Sequence, residues 1–549
     1  MSAQVNEAEA FPSLDAGDIA TIEALGTRRS MSAGDYLFRE GDAIYDFYVV
    51  VSGEVEILIT SGGAEQVVVR HGPGRFVGEL SLLSGSRVLV AARVVQSGEV
   101  VVLTRDQFRH LIATNPPLGD TILAAFIARR GGLLTRAATA IRVIGSRFSP
   151  DSLRVREFLA RSRIPHEWLD PDRDAAVEDA LREFGVAPGE LPVVIATGSV
   201  LRRPTPGALA AYLGLTVESI AERHFDLVVV GGGPAGLAAA VYGASEGLRT
   251  LGVDMVAFGG QAGSSSRIEN YLGFPMGVSG GDLTERAVVQ AEKFGAQLTS
   301  PCAATSLREE SGHLVISLSD GTDLVGRAVI AASGARYRRL DAARIPEFEG
   351  NGVYYAATEM EARLCAGSPV VVAGGGNSAG QAAVFLASAG CAVTVVIRGP
   401  DLARSMSRYL VDRIVEDPRI DVRAGTTISA VDGERTVSSI QVDGPGGICR
   451  LACAGLFSFI GADAGSGWLA GCAALDDAGF VLTDRSLSEK DLDVRWEVLG
   501  RGPLPFETSR PGLFAAGDVR SGSIKRVATA VGEGSAAVRS VHEYLAFSH

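Results

Sequence analysis

Two glycine-rich turns hold the residues whose types and spacing point most directly to chemistry. Gly231-x-Gly233-x-x-Gly236, with Pro234 and Ala235 inside it, follows the apolar run Leu227-Val228-Val229-Val230. Gly374-x-Gly376-x-x-Ala379, with Asn377 and Ser378 inside it, follows Val370-Val371-Val372-Ala373. A strand that enters a helix through such a turn presents backbone amides and the positive helix end to a diphosphate. The first glycine permits the turn, the second lets the backbone approach the phosphates, and the third lets helix pack on strand. After the first turn, a strand from Thr250 ends in Asp254, an acid placed for ribose hydroxyls. After the second, the strand Val393-Thr394-Val395-Val396-Ile397 ends in Arg398, a cation placed for a ribose 2′-phosphate and hence for NADPH over NADH. Arg404 and Arg408 follow it and add charge. Two dinucleotide sites side by side imply electron transfer from a nicotinamide to a flavin.

Thiols are the other candidate chemistry. The chain of 549 residues has 6 cysteines, unclustered, which fits a reducing, cytoplasmic compartment and not a disulfide scaffold. Cys365 stands alone, and a lone cysteine is more often a small buried hydrophobe than a reactive group. Cys449-x-x-x-Cys453 reads as structural, and no metal site is expected. Lys+Arg number 51 against 64 Asp+Glu, a net charge of −13, so no nucleic-acid partner is expected. With 46% hydrophobic and 21% charged residues, a mostly disordered chain is excluded. The N-terminus is acidic, without a signal-peptide pattern, and the apolar runs are interrupted by Gly and Pro, so no membrane span is expected.

The elements that must position these groups fall into four segments. Residues 10–137 alternate short strands with glycine turns and close on a helix, an antiparallel barrel with flanking helices. Within it Val49-Val50-Val51, Ser52-Gly53 and Val55 to Ile59 read as a hairpin. Residues 138–217 repeat strand and helix as a small α/β unit. The remainder holds the two dinucleotide folds, giving a multidomain α/β chain.

Three resemblances sharpen this reading. Gly259-Gly260-Gln261, Ile268-Glu269-Asn270-Tyr271-x-Gly273-Phe274-Pro275 and Gly517-Asp518-Val519 resemble the flavin-contacting motifs of the thioredoxin reductase family, the class II pyridine nucleotide-disulfide oxidoreductases. The resemblance implies two nested Rossmann-type domains: an FAD domain from 222–340 and 465–549, and an NADPH domain inserted at 341–464. It implies that FAD is held by the first turn together with Gly260, Gln261, Asn270, Gly517 and Asp518. Lys525, Arg526 and Val527 would lie beside the isoalloxazine at the start of the last helix. It also implies a homodimer. Residues 10–137 resemble a cyclic-nucleotide-binding domain through Gly34 to Asp42, Tyr48 to Gly53 and Gly78-Glu79-Leu80-Ser81. By that resemblance Gly78, Glu79, Leu80 and Arg87 form the nucleotide cassette. Yet Ser86-Arg87-Val88-Leu89 lacks the family's proline and hydroxyl, so the barrel either binds a nucleotide or serves as a ligand-free regulatory or dimerising unit. Residues 138–217 resemble a glutaredoxin-like thioredoxin fold, with Pro192 at the cis-proline position.

The departures bear directly on function. The redox CxxC of the reductase family falls on Ala356 and Glu359, and that of the glutaredoxin-like fold falls on Ser149 and Ser152. None of these four can form a thiolate or a disulfide; Ser149 reads instead as a helix cap. The leading expectation is an FAD-dependent NADPH oxidoreductase that passes electrons to an acceptor the sequence does not identify, with modulation by the first domain. One alternative is a thioredoxin-disulfide reductase that uses Cys365 or a partner's thiols. Another is a redox or ligand sensor with little turnover.

Overall fold

The computed structural model describes residues 10–547 except 43–44, 62–63, 79–81, 83–87, 89, 137–140, 147–148, 163, 165, 172–176, 178–180, 183, 197–198, 214–222, 264, 266–267, 269, 350, 356 and 358. The first unit is a six-stranded sheet flanked by the helices Ala16–Leu25, Arg105–Thr114 and Pro116–Arg136. Its core stacks Phe47 on Phe108, with ring centroids 4.6 Å apart, and on Phe76. The expected hairpin at Ser52-Gly53 is not formed. One strand, Phe47–Ser61, runs through it, and the chain turns back only at Ser61, which pairs with Ala64. The reason lies across the sheet. Register against Ala91–Leu103 shifts at Ser52 and again at Glu54, so Gly53 is a bulge with φ +86 and not a turn.

The second unit is a four-stranded sheet in the order Ser199–Arg202, Val193–Ala196, Ile141–Ile144, Glu167–Leu169, parallel only between the last two. The helices Pro150–Arg161 and Pro206–Tyr212 accompany it, and the Leu191–Pro192 bond is cis. Ser149 caps the first helix by accepting the Ser152 amide, as expected of it. Val155, Phe158 and Leu159 of that helix are buried with Val143 and Val194.

The rest of the chain builds a mixed sheet, with the antiparallel strands His313–Leu318 and Ala304–Glu310 at one edge, and a parallel one. One orders Gln297–Thr299, Thr250–Val253, His224–Val230 and Asp323–Ala331, with Leu513–Ala515 joining the last from the far end of the sequence. His224–Val230 is buried over its last four residues, and an uninterrupted apolar run is what a strand covered on both faces requires. The other orders Val353–Tyr354, Gly455–Ser458, Pro369–Ala373, Ala392–Val396 and Ile420–Arg423, with the antiparallel strands Thr427–Gly433, Val437–Gly444 and Gly447–Ala452 beside it. The ribbon formed by Ala335–Tyr337 and Ala462–Ala464 connects the two sheets. Among the described residues no single helix is long and apolar enough to cross a membrane. The bent pair Arg105–Thr114 and Pro116–Arg129 passes that test only jointly, and it buries Phe108, Leu111, Ile112 and Ile122 in the first core.

Candidate functional site

Both glycine turns sit at the carboxyl ends of parallel strands, each opening a helix: Pro234–Ser245 in the first and Asn377–Ser388 in the second. Their glycines divide by environment. Gly231 has φ +112, and a side chain there would overlap the Ala332 carbonyl; one on Gly236 would overlap the Gly231 carbonyl. These positions are closed by the protein itself. Gly233 is different: its φ is −74, and the nearest atom to an added Cβ is Gly260 Cα at 3.9 Å. Gly374 and Gly376 repeat the contrast. Gly374 has φ +137 with its Cβ position against the Phe459 carbonyl, whereas Gly376 has φ −91 and nothing within 4 Å. Open space at a helix N-terminus, kept free of side chains, is what a diphosphate requires.

A second turn and the last helix close around the first site. Gly259 donates its amide to the Gly232 carbonyl at 2.7 Å, and a Cβ on Gly260 would lie 2.8 Å from Gly233 Cα. Gln261 donates to the Ala335 carbonyl at 2.6 Å. Asp254, which the sequence marks as a ribose acceptor, also binds its own turn: one oxygen accepts the Gly232 amide at 2.7 Å and the other accepts the Val256 and Ala257 amides at 2.8 and 2.9 Å. Burial raises its pKa, and the three amide donors oppose that rise. From the other side, the helix Val527–Phe547 packs on Pro234–Ser245 so closely that a side chain on Gly534 would overlap the Ala235 carbonyl. Gly517, with φ +74, lies against Ala235 and opens the short turn that carries Asp518. Burial raises the pKa of Asp518, with Lys525 opposing and Glu533 adding to the rise.

Sequence reasoning missed the pair that fixes this turn. Glu533 accepts the Gly517 amide at 2.7 Å and binds Arg520 at 2.6 Å, and both side chains are largely buried. An acid among the small and apolar residues Val527 to Val538 that open the final helix was the available signal. Lys525 and Arg526 are exposed just before that helix, with Lys525 Nζ 4.5 Å over the Phe480 ring. Asn270 is exposed, and among the described residues no hydrogen bond ties it to these turns.

At the second turn, the Asn377 side chain accepts the Ser407 amide at 2.7 Å and Ser405 donates to the Gly375 carbonyl at 2.9 Å. This pins the loop that carries Arg404 against the glycines. Ser378 lies in the first turn of the helix and Ala379 is fully buried. Arg398 and Arg404 are exposed. Arg408, also largely exposed, pairs with Asp412 at 2.8 Å along its own helix.

Of the two positions expected to match the family's CxxC, Ala356 lies outside the described residues and Glu359 opens the helix Glu359–Leu364. Cys365, the alternative thiol, is 1% exposed in the core of the second sheet, and burial pushes its pKa up to about 12. It accepts the Cys391 thiol on its own carbonyl at 3.3 Å, and all six cysteines are free. In the first unit, Gly78 has φ +98; Glu79, Leu80 and Arg87 lie outside the described residues.

Two sheets whose parallel strands each run into a diphosphate-shaped turn define a two-dinucleotide oxidoreductase, and the comparisons give it a family. The model for pyridine nucleotide-disulphide oxidoreductases matches residues 225–534, and the chain belongs to that family, whose thioredoxin reductase-like members use FAD and NADPH. A second model, for the cyclic nucleotide-binding domain, matches residues 28–115. The chain is 33% identical over 327 residues to a thioredoxin reductase of Treponema pallidum, covering 59% of this chain and 98% of the relative. With a thioredoxin reductase of Listeria monocytogenes it shares 29% identity over 331 residues, 59% of this chain and 95% of the relative. Among solved structures it is similar to the thioredoxin reductases of Lactococcus lactis (25% identity) and T. acidophilum (27%), each at TM-score 0.53 over 59% of this chain and 99% of the other.

Proposed function

We propose that this chain is an NADPH-dependent flavin oxidoreductase whose electrons leave the flavin without a dithiol of its own. The observation that carries it is the two open glycine turns, and the resemblance that sets Ala356 and Glu359 where the family has cysteines supports it. In this reading residues 222–340 and 465–549 form the FAD domain and 341–464 the NADPH domain. The first turn, Gly260, Gln261, Asn270 and the Gly517-Asp518 turn hold FAD; the second turn, Arg398 and Arg404 hold NADPH. Bound FAD supplies the hydride acceptor for the nicotinamide and the onward electron donor. The protein supplies orientation: amides at two helix ends fix both diphosphates, and Glu533 with Arg520 fixes the Asp518 turn. The acceptor is a molecule outside this chain, such as a quinone-like compound, oxygen or a redox protein. It would fail as a reading if NADPH left the flavin band near about 450 nm unbleached.

Arg398 gives this reading a specificity test. No acid ends the strand Ala392–Val396, and an exposed guanidinium stands there instead. Arg398→Ala is expected to raise KM for NADPH about tenfold and that for NADH less than about twofold, with kcat nearly unchanged in steady-state assays.

A disulfide reductase that uses Cys365 is disfavoured by the same structure. Burial pushes that thiol's pKa up to about 12 and leaves the residue 1% exposed, so little of it is thiolate at neutral pH. Cys365→Ser is expected to leave NADPH oxidation with any acceptor within about twofold of the parent. Loss of turnover in that variant would restore the thiol route.

The two front units would modulate this activity. The strand order and the Ser149-capped helix support a thioredoxin-like fold for the second unit, with serines in place of both cysteines. The first unit touches the flavin domain through Arg105–Thr114, which packs on the helix Gly280–Lys293. Thr284 of that helix lies directly under Gly259 and Gly263 of the flavin turn. A nucleotide in the first unit would therefore have a two-helix route to the flavin.

A further inference from the structure

The first glycine turn receives a cation from outside its own domain. Arg161 ends the helix Pro150–Arg161 of the second unit, and its guanidinium lies 3.5 Å from the Gly260 carbonyl. Gly260 is the residue that abuts Gly233, the N-cap of the helix that faces the diphosphate position. The same guanidinium is close enough to Asp254 to offset part of the rise that burial imposes on its carboxyl. Its other anchor is Glu157, one turn back on its own helix, at 3.2 Å. The hydrogen bond to Gly260 is long, and Arg161 keeps about a third of its side-chain surface open. It is thus held beside the turn without being used up by it.

Charge explains why a cation belongs here. Asp254 places a carboxylate on the Gly232 amide, directly behind the turn. A dinucleotide adds the negative charges of its diphosphate to the same small region. Helix amides alone supply only partial positive charge. At the second turn Arg398 and Arg404 follow in the same domain; at the first, the guanidinium comes from the second unit.

We infer that Arg161 is a binding residue of the first dinucleotide site, reaching the anionic diphosphate–ribose part of the cofactor from the second unit. The inference rests on the reading that the Gly231–Gly236 turn holds FAD. It gives the cysteine-less second unit a function that needs no thiol: it completes the flavin site, and flavin retention reports whether that unit is docked. A guanidinium–phosphate contact is charge-assisted and falls off with added salt.

The test uses the full chain, stripped of flavin, with FAD titrated back and followed by quenching of flavin fluorescence. Arg161→Gln is expected to raise the FAD dissociation constant about tenfold at low salt, and Arg161→Lys less than about threefold, because charge and not shape is what the site lacks. The parent's affinity should fall more steeply with salt than that of Arg161→Gln, and the melting temperature of both flavin-free variants should match the parent's. Unchanged affinity in Arg161→Gln overturns the inference. So does an equal loss in Arg161→Lys, or a loss matched by a drop in the flavin-free melting temperature, since either makes Arg161 a docking contact only. If the parent chain itself takes up no FAD, the assignment of the first turn fails, an outcome distinct from the failure of Arg161.

Discussion

The Gly233→Val protein will fold and will purify without flavin. Gly233 sits at φ −74 and ψ −174, a conformation open to any residue, and the nearest atom to an added Cβ is 3.9 Å away. Valine there costs the fold only a poor helix cap, about 1 kcal/mol. What it fills is the space in front of the helix amides. A branched side chain in that space displaces the diphosphate and the hydrogen bonds it would accept, so FAD affinity should drop by about a hundredfold or more. The neighbouring glycines predict the opposite failure. At Gly231 or Gly236 a side chain meets a backbone carbonyl, so those variants should lose stability together with flavin. Absorbance of the purified proteins gives flavin content and circular dichroism gives folding. A Gly233→Val protein with full flavin would remove the first turn from the cofactor site.

The second large effect is expected from Glu533→Ala. Glu533 is the buried partner of Arg520 and the acceptor for the Gly517 amide. Truncation leaves a guanidinium and an amide without their acceptor in a site from which water is largely excluded. Breaking a buried pair in this way costs roughly 3 kcal/mol. The loss falls on the turn that carries Asp518, so flavin should dissociate at a temperature roughly 6 °C lower or more, followed by flavin fluorescence during heating. Glu533→Gln keeps an acceptor for Gly517 and should lose about half as much. Equal behaviour of parent and Glu533→Ala would show that the final helix, and not this pair, holds the turn.

The parts of this molecule that are legible in the sequence are those whose signal is local. A buried parallel strand must be apolar throughout, and a glycine turn must follow it where a phosphate approaches. Val228 to Gly236 and Val370 to Ala379 state both requirements within a dozen residues. The family resemblance carried the Gly517-Asp518 turn, which lies far along the chain from Gly231. What was not legible depends on contacts between distant residues. Ser52-Gly53 has the composition of a hairpin turn, but the pairing of Phe47–Ser61 with Ala91–Leu103 makes it a bulge in one long strand. Asp254 has the position of a ribose acceptor, yet its three amide partners appear only once the turn is folded. Glu533 and Arg161 carry no motif at all. Each acquires its role from an element that packs against the turn from elsewhere in the chain: the final helix in one case, the second unit in the other. The cysteine positions were informative through residue type alone, because Ala356, Glu359, Ser149 and Ser152 cannot ionise as thiolates whatever surrounds them.

The central claim is that electrons pass through the flavin with no dithiol of the chain in the path. Anaerobic titration of the full-length protein with NADPH tests it by stoichiometry. A flavin without a redox-active dithiol takes up two electrons, so about one equivalent of NADPH should bleach the flavin completely, with further NADPH accumulating unoxidised. Consumption of about two equivalents per flavin would place a cysteine pair in the path and contradict the account, as would a flavin that NADPH leaves oxidised.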